Sequence, residues 1–187
     1  GADSNRDYGP TFNTQGINIR DSSVSIKNVD IATDLGNEGD TNNNYGVFVS
    51  DEGAPTESVI LDTVEASGFE TGILISDFYE GNIAGITLSS VTTPNYHESG
   101  LSVIESNGGI NSDAVTGSNN DFTGSTSTPS IQTNDAEAIA FTGPIQVEDG
   151  DSINTAVDVA DASAKIQVDD GTYSGFDVTE SVTVTAA

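Results

Sequence analysis

The sequence predicts an all-β solenoid of stacked parallel strands, with one short helix near its C-terminal end. Three observations predict it. A Gly-led strand motif occurs four times: GINIRD from Gly16, GVFVSD from Gly46, GILISD from Gly72 and GLSVIE from Gly100. The steps between these glycines are 30, 26 and 28 residues. A second motif, apolar-x-apolar-x-x-apolar, follows each of them. The composition agrees: the apolar residues are mostly Val, Ile and Ala, set among 20 glycines and many Ser, Thr, Asn and Asp. Such a mixture favours strands joined by polar turns.

The first 115 residues carry the coils. The second motif is Val24, Ile26, Val29 in the first unit, Val59, Leu61, Val64 in the second and Ile86, Leu88, Val91 in the third. In the fourth it decays to Ile110, Ser112, Val115. Alternation with period 2 turns one face of each strand inward. A unit this short cannot bury that face alone, so successive units must stack, with coils ~4.8 Å apart. A β-sandwich also yields short strands and turns, but four Gly-led strands recurring in step favour the solenoid.

Residues 116–143 read as a polar loop or linker with short strands, because TGSNNDFTGSTSTPS is small and turn-rich. An apolar stretch, AIAFTGPIQV, runs from Ala138 to Val147, and residues 144–187 carry a helix and further strands. Asp151 or Ser152 supplies its N-cap. Ile153, Ala156, Val157 and Ala160 fall at i, i+3, i+4 and i+7, an amphipathic spacing. A strand KIQV, a turn DDGTY and a strand SVTVT close the chain.

This last segment resembles the N-terminal cap and first coil of the right-handed parallel β-helix proteins of the pectin-lyase-like superfamily. The residues that carry the resemblance are Ile153, Val157, Ala160, Ile166, Val168, Gly171, Tyr173, Val182 and Val184. The coils at 16–115 are similar to the body of the same proteins. The resemblance implies a right-handed, single-stranded parallel β-helix. It also implies that the cap precedes the coils, whereas here it follows them.

Reading the C-terminus into the N-terminus restores the usual order, as if the sequence were cut from a circle. Three arrangements fit. The chain is one period of a tandem array, or a subunit whose segment 144–187 stacks on the N-terminal coils of a neighbour, or a permuted chain that closes on itself. In the first two, Ile153, Val157 and Ala160 fix the cap, and Val182 and Val184 form the strand that meets Ile17 and Ile19 of the next unit. The expectation is head-to-tail self-association of a structural repeat or subunit, in an extracellular filament, surface layer or giant cell-surface protein. A start without Met reads as a processed chain or a fragment.

Charge narrows the function further. There are 30 acidic residues against 4 basic ones, a formal net charge of −26. Arg6, Arg20, Lys27 and Lys165 cannot build a basic surface for nucleic acid. The acidity reads as a solvated face adapted to salt, which screens the self-repulsion. There is no Cys for a disulfide or thiolate site, and no apolar run spans a bilayer.

Candidate sites are few. Many β-helix proteins process acidic polysaccharides, but none of the four basic residues falls in a recognisable catalytic motif. His97 beside Glu98 has the chemistry of an acid/base pair, yet it reads better as a loop histidine. No catalytic residue is assigned, and no enzyme activity is expected. Asp40, Asn42 and Asn44, with Asp51 eleven residues after the first, resemble an EF-hand loop that would take Ca²⁺. The glycine sits one place late, and the last ligand is Asp rather than Glu. An Asn-rich turn explains the same residues. Asp149 with Asp151 is a weaker pair of the same kind, read first as the helix cap. The remaining function class is polysaccharide binding, which wants exposed aromatic rings; Phe78, Tyr79 and Tyr96 are the residues in loops after successive coils.

Overall fold

The computed structural model describes residues 15–33, 44–51, 53–56, 58–77, 82–124 and 129–187. The chain is mostly β, its strands pair only in parallel, and there is one α-helix among the described residues. Successive strands alternate between two sheets. The first sheet has the order β1 (Gln15–Arg20), β3 (Tyr45–Ser50), β5 (Thr71–Asp77), β7 (Ser99–Glu105), β9 (Ile131–Thr133). The second joins β2 (Val24–Ala32), β4 (Val59–Ser67), β6 (Ile86–Ser89), β8 (Val115–Ser118) and β10 (Ile139–Phe141). A third contains β11 (Ile145–Val147), β12 (Lys165–Val168) and β13 (Thr183–Ala186). The helix α1 spans Ile153–Asp158.

The register explains the apolar columns. Ile17, Val47, Ile73, Leu101 and Ile131 pair in succession along the first sheet. Val24, Val59, Ile86 and Val115 do so along the second. Most of these side chains belong to one continuous buried core, which also takes in Ile153, Val157 and Ile166.

The strands of the second sheet bend at a fixed level. Asn28, Thr63, Ser90 and Asn119 all have positive φ, at 53°, 58°, 52° and 55°. Each lies one place beyond a paired set, after Lys27, Asp62, Ser89 and Ser118. A left-handed residue turns the chain sharply, and Asn tolerates it best. Beyond the bend runs a further column of segments. Val29–Ala32 pairs with Val64–Ser67, and single bridges continue from Glu65 to Thr92 and Asp121. β11 follows in the same direction: the Gly124 backbone N–H bonds the Glu148 carboxylate, and a Cβ on Gly143 would lie 2.7 Å from Asn119 N. β12 and β13 pair onward from β11 as a separate sheet, through Ile145–Ile166 and Ile166–Val184.

The glycines near the start of the first sheet's strands are required sterically. A Cβ on Gly46 would lie 2.5 Å from the Ala66 Cβ and 2.6 Å from the Gly72 carbonyl oxygen. Gly16 meets Ile31 and the Gly46 carbonyl in the same way. The first sheet therefore crosses the column beyond the bend at a point with no room for a side chain.

Two expectations are adjusted. The fourth unit's in-register residues are Val115 and Gly117, opposite Ile86 and Leu88, rather than Ile110, Ser112 and Val115. Ile110 bridges Ile83 instead. Gly117 takes the place opposite Leu88, where a Cβ would strike the Leu88 carbonyl. The short strands expected within 116–143 are present among the described residues, and they continue the stacks: β8, β9 and β10 pair in register with β6, β7 and β8.

Candidate functional site

The two ends of the strand stacks are the first candidate. At one end, β1 pairs only with β3 and β2 only with β4 among the described residues. Their inward residues Ile17, Val24, Ile26, Val29 and Ile31 are only partly buried. One level further in, Val47, Val59, Leu61 and Val64 are at most 1% exposed. At the other end, β13 pairs only with β12, and Val182 and Val184 are partly buried. Phe176 and Val178 beside it are 42% and 51% exposed. An open groove of about 730 Å³ lies there, lined by Ile153, Val168, Tyr173, Phe176 and Val184 among others. Among the described residues, both ends thus combine an unpaired parallel edge with incompletely covered core residues.

The cap that forms the second end is tied to its own chain. Ser152 is the N-cap of α1, accepting from Thr155 N at 3.3 Å. Asp151, the residue before, accepts from Ser130 N and Ser130 Oγ, both at 2.7 Å, and from Glu148 N at 3.0 Å. Ser130 Oγ in turn receives the buried Tyr96 hydroxyl at 3.1 Å. Ile153, Val157 and Ala160 are 6%, 0% and 9% exposed, and Ala160 bridges Phe141. These three residues therefore fill the core of their own chain and present little surface to a neighbour. Of the residues assigned to assembly, Ile17, Val182 and Val184 remain partly open; Ile19 is 5% exposed. Val182 and Val184 do not meet Ile17 and Ile19 within the chain, because β13 and β1 close different sheets at opposite ends.

A column of carboxylates is the second candidate. Arg20, Ser50 and Ser76 are paired in succession, and Asp77 pairs with Glu105. The acids that follow, Asp21, Asp51, Asp77 and Glu105, therefore stack at one edge of the first sheet, with Asp135 next along from the Val103–Thr133 pair. Asp51 and Asp77 are fully buried. The Asp77 carboxylate accepts the backbone N–H groups of Ser106, Asn107 (2.9 Å) and Gly109 (2.8 Å). Asp21 accepts Ala54 N at 3.3 Å. Asp21 and Asp77 thus each cap a turn of the following unit. At the last step two carboxyls face each other. A hydrogen bond with Asp135, then burial and the charges of Asp135 and Asp77, push Glu105 up to about 7.

This column was missed by the apolar pattern, although the signal stood in the sequence: each Gly-led strand ends in Asp, Asp, Asp or Glu. The calcium reading fares differently. Asp40 and Asn42 lie outside the described residues. Asn44 precedes β3 and Asp51 follows it, which separates them by about 23 Å of extended chain. Ligand distances of about 2.5 Å forbid one ion from holding both. Asp149 and Asp151 are likewise spent on backbone: Asp149 accepts Thr172 N at 3.1 Å.

His97 and Glu98 are exposed, and both backbone N–H groups bond the Glu70 carbonyl, at 3.2 and 2.7 Å. Nearby, burial raises Glu70, with the Glu98 charge adding to it. Burial and the charges of Glu70 and Glu98 push the Tyr45 hydroxyl up to about 12. Of the rings considered for sugar stacking, Tyr96 is 3% exposed, while Phe78 and Tyr79 lie outside the described residues. No helix of the described residues is long and apolar enough to cross a membrane. No family model, curated protein or solved structure matches the chain.

Proposed function

We propose that the chain is a right-handed parallel β-helix serving as a structural unit that stacks head to tail, in an extracellular filament, surface layer or giant surface protein. One observation carries this reading: among the described residues, an unpaired parallel edge with half-covered core residues at each end of the strand stacks. Such edges template further pairing unless something covers them, and a heterologous contact between unlike ends propagates as a line when its rotation does not close. The neighbour is a second copy or a further stretch of the same polypeptide. The alternating parallel sheets and the bends at Asn28, Thr63, Ser90 and Asn119 support the β-helix. Its handedness follows the strong preference of parallel crossovers. Placement outside the cell rests on the resemblance to the pectin-lyase-like superfamily.

Sedimentation velocity over a wide concentration range tests the reading. The expected result is a mass that rises with concentration, and a Val184→Lys variant, with an ammonium on the free edge, that stays at the mass of one chain. A wild-type chain that is monomeric throughout contradicts it.

A further inference from the structure

We propose that the free edge of β13 pairs with the second half of β2 in a second copy of the chain, with Val184 opposite Val29 and Ala186 opposite Ile31, and that charge selects this polarity. The proposal rests on the head-to-tail reading above and specifies its interface. β13 closes the sheet β11–β12–β13, and the approach of Gly143 to Asn119 and of Gly124 to Glu148 places β11 next in line after the run Val29–Ala32, Val64–Ser67, Thr92 and Asp121. A stack continues only if like columns meet, because each strand satisfies the next strand's backbone groups across ~4.8 Å. β1 belongs to the first sheet, whose column ends in β9 and is then covered by α1. Val184 therefore has its counterpart in Val29, the first inward residue after the bend at Asn28, and not in Ile17 or Ile19.

The apolar surfaces fit as well. Val29 and Ile31 are partly buried, as is Val184, while their counterparts in mid-column, Val64 and Ala66, are each 1% exposed. One more strand on either side would complete their burial. The groove beside β13, with Tyr173 and Phe176 on its wall, is where the inward residues of the next first coil would lie.

Charge gives the direction. Residues 15–33 carry two basic side chains, Arg20 and Lys27, against two acidic ones, Asp21 and Asp30. Residues 144–187 carry nine acidic side chains against Lys165 alone. Pairing two cap ends would bring two strongly acidic faces together. Pairing a cap end with a β1–β2 end brings an acidic face to a neutral one that holds two of the four basic residues. Like-charge contact disfavours wrong pairings, so cap-to-coil contact wins over cap-to-cap.

Cysteine cross-linking tests the register, since the chain has no cysteine of its own. Thr185 and Asp30 are the outward neighbours of Val184 and Val29 in their strands. At ~4.8 Å their Cα atoms would lie within disulfide range. Full-length Thr185→Cys and Asp30→Cys chains are mixed, oxidised and run without reductant. The expected result is a heterodisulfide dimer in this mixture and none above background for Thr185→Cys with Asn18→Cys, or for either variant alone. Cross-linking of 185 to 18, of 185 to 185, or of no pair, in a wild-type chain that sediments as a multimer, overturns the register and leaves the assembly standing. A wild-type chain that is monomeric at every concentration and gives no disulfide in any mixture overturns both.

Discussion

The Asp77 carboxylate accepts the backbone N–H of Gly109 at 2.8 Å, more than a full coil further along the chain. The same carboxylate takes the N–H groups of Ser106 and Asn107, so one buried acid organises an entire turn. Asp77→Ala leaves these donors without their acceptor, and an unmet buried donor costs about 1–3 kcal/mol. We expect a loss of about 2–4 kcal/mol in urea unfolding, with Asp77→Asn recovering part of it. A change below about 0.5 kcal/mol would show the turn to be held by other contacts.

Gly46 tests the glycine ladder. Alanine there puts a methyl 2.5 Å from Ala66 Cβ and 2.6 Å from the Gly72 oxygen. Overpacking of this kind costs about 1–3 kcal/mol. Gly175→Ala meets no atom within 4 Å and should stay within about 0.5 kcal/mol of wild type. Equal melting behaviour of the two variants would remove the steric explanation for the repeated glycine.

The Glu105–Asp135 contact predicts a pH response. The hydrogen bond to Asp135 raises Glu105 from 4.5 to about 7 in the folded chain. The folded state therefore holds a proton that the unfolded state has released between these values. Stability must fall as pH rises through that window, and must be insensitive to this group below 4.5, where both states are protonated. Glu105→Gln should flatten the slope of the unfolding midpoint between pH 5 and 7 relative to wild type. If the two slopes coincide, the two carboxyls do not share a proton.

Much of this architecture was legible in the sequence because period 2 and the Gly-led strands are local signals. Val24, Val59 and Ile86 were aligned by pattern and are aligned in register. The fourth coil was misread where its inward position is occupied by Gly117, a residue with no hydropathy to mark it. The helix was legible from its spacing and cap, but not its use: Ile153 and Val157 look the same whether they cover their own core or a neighbour's. Their burial in the chain's own core, with the bonds from Ser130 to Asp151, places them on their own chain. The acid at the end of each strand was visible but reads as surface charge until the register stacks Asp77 beneath Glu105. The calcium-like spacing was misleading because a strand, β3, runs between Asn44 and Asp51, and sequence distance within a strand becomes physical distance.

Head-to-tail stacking has one direct signature in length. In the proposed stack the four levels from Val29–Ala32 to Asp121 are followed by β11, β12 and β13, seven levels that amount to about 34 Å at the spacing of parallel strands. Electron microscopy of the chain in molar salt, where the Debye length is about 3 Å and self-repulsion is screened, should show unbranched rods with an axial step of about 34 Å per copy. Isolated particles of one chain at all concentrations, or ribbons that grow side by side without that axial step, would contradict it.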